Sequence, residues 1–90
     1  MDDPKIEING DFITMEYYDG YKEYYKNSLL HRGDGPAIEY ASGSKEYWIN
    51  NKLHREDGPA IEYISGDKGY WKNGVQYASL EELLMDNALE

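Results

Sequence analysis

Two tetrads hold the residue types that chemistry most often uses: His31-Arg32-Gly33-Asp34 and His54-Arg55-Glu56-Asp57. A histidine beside a carboxylate is a usual general base, and histidines near Asp or Glu suit a metal ion. Their placement argues against both uses. A catalytic constellation is normally built once, from residues converging on one pocket, whereas these tetrads recur 23 residues apart in the same context. No His-x-His or His-x₃-His spacing exists, so the two histidines stand a unit apart on equivalent elements. There is no Gly-rich phosphate loop and no G-x-S-x-G. The reading is no catalytic residue, no cofactor, no metal site, and not an enzyme. Asp34 and Asp57 precede Gly-Pro, where an Asp side chain is expected to accept backbone N–H bonds in a turn. Arg32 and Arg55 are expected to pair with those carboxylates or with Glu39 and Glu62.

The elements that position these residues follow from an internal repeat. Gly20, Gly43 and Gly66 are spaced by 23, as are Lys22, Lys45, Lys68; Tyr24, Tyr47, Tyr70; and Tyr25, Trp48, Trp71. The segment 30–40 returns at 53–63 with one difference. Each unit reads as a hairpin. Ile38 to Ala41 alternates apolar and polar, Ser42-Gly43 turns, and an aromatic-rich strand Lys45 to Ile49 follows. Asn50-Asn51 and Asn73-Gly74 supply the next turn, then comes a short Leu-His-Arg strand and an Asp-Gly-Pro corner. Such a unit cannot bury its face alone, so neighbours must stack.

The ends differ from the middle. Residues 1–13 read as an opening hairpin and cap, with Ile6 and Ile8 before an Asn9-Gly10 turn and Phe12 after it. Residues 14–77 hold the repeats, and 78–90 a closing helix. Ser79 and Glu82 form a capping box there, and Leu80, Leu83, Leu84 and Ala88 mark an apolar stripe over 80–89, expected to lie on an open sheet edge or face. The expected architecture is one mainly β domain over 1–90: an antiparallel β-meander of stacked hairpin repeats with a C-terminal capping helix.

Trp48-Ile49-Asn50-Asn51-Lys52-Leu53-His54 resembles the W-x-N-G-K-x-H core of the MORN repeat, and the period of 23 agrees. After His the chain continues Arg-x-Asp-Gly-Pro-Ala where a MORN repeat has closely spaced glycines. That looks like the MORN-variant repeats of small bacterial, phage and large-virus proteins, some described as antitoxins. The resemblance covers roughly residues 14–77. It implies a β-meander used as an interaction surface, sometimes linked to phospholipid, with no common catalytic residue.

Composition narrows the partner. The net charge is −9, with no Cys and 10 Tyr, 2 Trp and 1 Phe. Aromatic content on this scale argues for a folded chain, and the lack of Cys is consistent with a cytoplasmic location, that of the host cell. No apolar run approaches a membrane span and no signal-like start is visible. Nucleic acid is disfavoured as a direct ligand, and anionic lipid likewise, because both need a Lys/Arg surplus. Residues 1–19 hold six acids against Lys5, 20–72 hold eight acids and eight bases, and 73–90 hold four acids and no base. The charge therefore belongs to the two ends, either for solubility or to steer the chain toward a basic protein surface.

The candidate contact residues are the aromatic ladders and the acidic ends: Tyr24, Tyr47, Tyr70, Trp48, Trp71, Asp2, Asp3, Glu81, Glu82 and Asp86. Strand alternation places Tyr24/Tyr47/Tyr70 on one face and Tyr25/Trp48/Trp71 on the other. Tyr and Trp bring large contact area with few rotors, although both ladders also suit a core. The Lys22/Lys45/Lys68 register points the Tyr24 face to solvent. The resulting expectation is a non-catalytic protein-binding module. One form is a phage or mobile-element inhibitor of a host defence system, of anti-CRISPR or anti-restriction type, which blocks a nucleic-acid-binding surface. An antitoxin or immunity protein and a MORN-like membrane-peripheral scaffold are the alternatives, and monomer and edge-paired homodimer both stay open.

Overall fold

A computed structural model describes residues 3–89. It opens with the hairpin β1 (Lys5–Asn9) and β2 (Phe12–Glu16). Asn9 pairs with Phe12, so the two-residue loop is Gly10-Asp11, one residue later than the sequence suggests. Gly10 sits there at φ 63, a conformation open to glycine at no steric cost. Then follow β3 (Lys22–Lys26), β4 (Leu29–Leu30), β5 (Ile38–Glu39), β6 (Lys45–Glu46), β7 (Trp48–Ile49), β8 (Lys52–Leu53), β9 (Ile61–Glu62), β10 (Lys68–Lys72), β11 (Val75–Tyr77) and the helix α1 (Leu80–Ala88). The fold is mainly β: an antiparallel meander of hairpins closed by a C-terminal helix. The main path runs β1-β2-β3-β5-β6-β9-β10-β11, with β4 on β3 and β7-β8 as a separate ribbon.

Turn chemistry builds the hairpins locally. Tyr17 N–H donates to Tyr21 O, Tyr40 N–H to Ser44 O and Tyr63 N–H to Asp67 O, each 23 residues after the last. Asn27-Ser28, Asn50-Asn51 and Asn73-Gly74 all hold left-handed φ between 49 and 79. Two such residues in succession make the mirror-image turn whose twist matches that of a two-stranded ribbon.

The sheet forks at the tyrosines. Lys22 and Glu23 of β3 pair with β5, whereas Tyr25 and Lys26 pair with β4. Both backbone groups of Tyr24 hold the fork: its N–H donates to Ala37 O at 2.8 Å, and its carbonyl accepts His31 N–H at 3.0 Å. Tyr47 does the same with Ala60 O and His54 N–H, at 2.7 and 3.0 Å. The strand expected over Lys45–Ile49 is therefore two, β6 and β7, because Tyr47 switches partners between branches. The expected Leu-His-Arg strand also ends early, at Leu30 and Leu53. His31 N–H turns back to its own tyrosine, while Arg32 N–H reaches forward to Trp48 O of the next unit.

Register sorts the side chains. Glu16, Lys22, Glu39, Lys45, Glu62 and Lys68 are successive cross-strand partners and form one line of alternating charge. On the opposite face the parallel line reads Met15, Glu23, Ile38, Glu46, Ile61, Gly69. The body measures 46 × 32 × 16 Å, close to one sheet thick. Its buried apolar residues, among those described, are few: Ala37, Ile38, Ala60 and Leu83.

The helix caps as expected at its start. Glu82 N–H donates to Ser79 Oγ at 3.2 Å, and the Glu82 carboxylate accepts Ala78 N–H at 3.2 Å. Its apolar stripe is another matter. Leu83 alone is buried, while Leu80, Leu84 and Ala88 are exposed. Polar contacts supply the rest of the docking. The nearly buried Lys72 ammonium meets Asn87 Oδ1 at 2.8 Å and Asp86 Oδ2 at 3.2 Å, and Tyr77 Oη donates to Asp86. Asn87 also donates to Glu56 O at 2.6 Å, tying the helix to the preceding unit.

Candidate binding surface

The repeated Leu-His-Arg-x-Asp-Gly-Pro-Ala segment is a loop closed on one tyrosine and plugged by its own arginine. Arg32 folds inward with Cζ 4.0 Å from the Tyr24 ring centroid, and Nη1 donates to Pro36 O at 3.2 Å. Arg55 lies 4.2 Å over Tyr47, bonds Pro59 O at 3.2 Å and meets Glu62 at 3.0 Å. Gly35 and Gly58 make room for this: a Cβ there would stand 3.2 and 3.0 Å from the guanidinium carbon. Asp34 approaches Arg32 Nε at 3.1 Å, and Asp57 approaches Arg55 at 3.6 Å. These carboxylates take the arginine in place of the expected backbone N–H groups. Both are almost fully exposed, so they flank the plug from outside.

The histidines join neighbouring units. His31 Nδ1 accepts the N–H of Asn50 at 3.2 Å, and His54 Nδ1 accepts that of Asn73 at 3.0 Å. Each therefore fixes the left-handed turn of the next hairpin. Leu30 O and Leu53 O accept from Asn51 and Gly74 in the same turns. The two histidines line different open grooves, of about 530 and 740 Å³, which meet at Arg32, Gly33 and Asp34. Among the described residues, no group of three or more His, Cys, Asp or Glu gathers for a metal ion.

The opposite face carries a feature that the sequence reading missed. Glu46 accepts Tyr40 Oη at 2.9 Å and Trp48 Nε1 at 2.9 Å, and Glu23 accepts Tyr21 Oη at 2.9 Å and Tyr17 Oη at 3.4 Å. Burial, and then these carboxylates, push the tyrosines upward: Tyr40 to about 12, with Tyr17, Tyr21 and Tyr25 in the same direction. The signal was available, because strand alternation puts Glu23 and Glu46 in line with Ile38 and Ile61. An acid there needs donors.

Tyr24 and Tyr47 are half-buried beneath their arginines, and Trp48 is half-buried beside Glu46. Tyr70 has no such plug, since the position 23 residues after Arg55 is Ala78. It borders a cleft of about 350 Å³ with Lys68, Gly69 and Tyr77. Trp71 is half-buried on the other face. Asp3, Glu81 and Glu82 are exposed; Asp86 is occupied by Tyr77 and Lys72, which hold its carboxyl below the usual range. Asp2 lies outside the described residues. The large apolar side chains that do reach solvent are others: Ile6, Ile8 and Phe12 on the opening hairpin, Tyr18, Tyr63 with Ile64, Val75 on β11, and Leu80, Leu84, Met85 and Leu89 at the helix.

The charge divides as the geometry suggests. Arg32, Arg55 and their carboxylates neutralise each other within the loops, and the Glu–Lys line does so across the strands. Of the acids toward the two ends, Asp3 and Asp11 at the opening hairpin and Glu81 on α1 carry no ion pair among the described residues, whereas Glu7 meets Lys5 at 3.8 Å and Asp86 meets Lys72 at 3.2 Å. In the middle, Glu23 and Glu46 are held by tyrosine and tryptophan donors without a cation. No helix among the described residues is long and apolar enough to cross a membrane. Compared with known proteins, the chain matches no family model, no curated protein and no solved structure.

Proposed function

We propose that this chain is a non-catalytic protein-binding module whose acidic ends cover a basic, nucleic-acid-binding surface of a partner. One observation carries the reading: residues 20–72 balance eight acids with eight bases, whereas Asp3, Asp11 and Glu81, toward the two ends of the meander, have no ion-pair partner among the described residues. Carboxylates displayed in this way satisfy the Lys and Arg that a partner holds ready for phosphates. The bonds made by the His-Arg-x-Asp residues support the non-catalytic part, since the histidines join neighbouring hairpins and the arginines and aspartates close their own loops. The resemblance to MORN-variant repeats supports an interaction surface. Its finer form is an inhibitor of a host defence system, of anti-CRISPR or anti-restriction kind, acting in the cytoplasm of the host.

The test is capture of a partner from host lysate at low salt, followed by competition with duplex DNA. The proposal expects the chain and DNA to displace each other, with affinity for the chain falling steeply as salt rises. A partner that binds both at once, with no dependence on salt, contradicts it.

A further inference from the structure

The three units carry the same ring positions around one site, and in the third the acid is gone. In the second unit Tyr40 Oη and Trp48 Nε1 both donate to Glu46, each at 2.9 Å. In the first unit Glu23 holds the same place and takes Tyr17 and Tyr21. The third unit keeps Tyr63 and Trp71 but has Gly69 where the glutamate would be. The backbone that presents them is unchanged: Tyr63 N–H closes on Asp67 O and Gly66 N–H on Tyr63 O, as in the unit before. Gly69 pairs with Ile61 just as Glu46 does. Trp71 Nε1 lies 3.2 Å from the point a Cβ on Gly69 would occupy. Among the described residues, neither Trp71 Nε1 nor Tyr63 Oη has a hydrogen-bond partner.

We propose that Tyr63 and Trp71 form, over Gly69, a notch that accepts a carboxylate from a partner protein. Trp71 Nε1 already stands over Gly69, and Tyr63 occupies the register position from which Tyr40 reaches Glu46; a carboxylate accepts from both with its separate oxygens. Ile64, the residue after Tyr63, is exposed, so apolar surface is available at the same turn to the chain that carries the acid. No cation sits in the equivalent contacts of Glu23 and Glu46, so affinity for an isolated carboxylate is weak. The notch therefore works as one contact within a larger interface. It goes beyond the covering of a basic surface, because it takes a group of the opposite charge.

The two indole N–H resonances of Trp48 and Trp71 read the site directly. The probes are sodium acetate against sodium chloride at equal ionic strength, then acetyl-glutamate amide and acetyl-glycyl-glycine with a free C-terminus. The Trp71 resonance is expected to move downfield and saturate with acetate, while Trp48, already bonded to Glu46, stays. The tighter of the two organic probes identifies a side-chain or a chain-terminal source. Tyr63→Phe should weaken the response about fivefold, the worth of one hydrogen bond. Gly69→Glu should abolish it, after the indole gives by a few tenths of an ångström. Glu46→Gly should make Trp48 respond as well. A Trp71 resonance that moves no further with acetate than with chloride, or no further than Trp48, overturns the proposal.

Discussion

The guanidinium of Arg55 stacks 4.2 Å above the ring of Tyr47, the residue whose two backbone groups close the loop that Arg55 fills. Ring and loop are thus held by one side chain, and Arg32 on Tyr24 repeats the arrangement at 4.0 Å. Arg55→Ala removes the stacking and the bonds to Pro59 O and Glu62, and should cost about 2 kcal/mol in urea unfolding. Arg55→Lys keeps a charge but not the planar fork, and should lose more than half as much. Equal midpoints for wild type and Arg55→Ala would show the stack to be incidental.

Gly33 of the first motif and Gly58 of the second should respond differently to a methyl group. A Cβ at Gly58 meets the Arg55 guanidinium at 3.0 Å, whereas one at Gly33 meets nothing within 4 Å. Gly58→Ala should therefore destabilise by about 1–2 kcal/mol through displacement of the plug. Gly33→Ala should stay within about 0.5 kcal/mol of wild type. Thermal melts of the two variants compare them directly, and a destabilised Gly33→Ala with an unchanged Gly58→Ala would contradict the packing described.

Tyr40 predicts an alkaline limit to stability. Burial, then the hydrogen bond to Glu46 and its charge, raise its folded value from 10.0 to about 12. The fold therefore favours the neutral phenol. That contribution is complete below pH 10 and is lost as pH climbs toward 12. Phenolate absorbance should show a delayed class of tyrosines that ionises together with unfolding. Glu46→Gln should bring the Tyr40 part of that class to lower pH. A single unshifted titration for all tyrosines in the folded protein would contradict it.

Much of this architecture was legible because it is local. The glycines at 20, 43 and 66, the Asn-led turns and the alternation after them specify hairpins without reference to distant residues. Ser79 and Glu82 announced the helix for the same reason. The fork at Tyr47 was not legible. A run of five strand-forming residues says nothing about a change of partner halfway along, which depends on where Ala60 and His54 come to rest. The helix was misread in its contacts: Leu80, Leu83, Leu84 and Ala88 give a stripe, but a sheet this thin offers burial to Leu83 and leaves Lys72, Asp86 and Asn87 to anchor the rest. The aromatic ladders were placed on their correct faces. What the spacing did not reveal is that Arg32 and Arg55 cover two of the tyrosines, or that Glu46 engages Trp48.

The most direct measurement is the affinity of the captured partner for a chain with neutralised ends, Asp3→Asn, Asp11→Asn and Glu81→Gln, across a range of salt. None of the three carboxylates is bonded within the fold among the described residues, so the variant should melt with wild type. Its binding should weaken at low salt and approach wild type at high salt, where both are screened. Undiminished binding by this variant at low salt would place recognition elsewhere on the molecule and contradict the account.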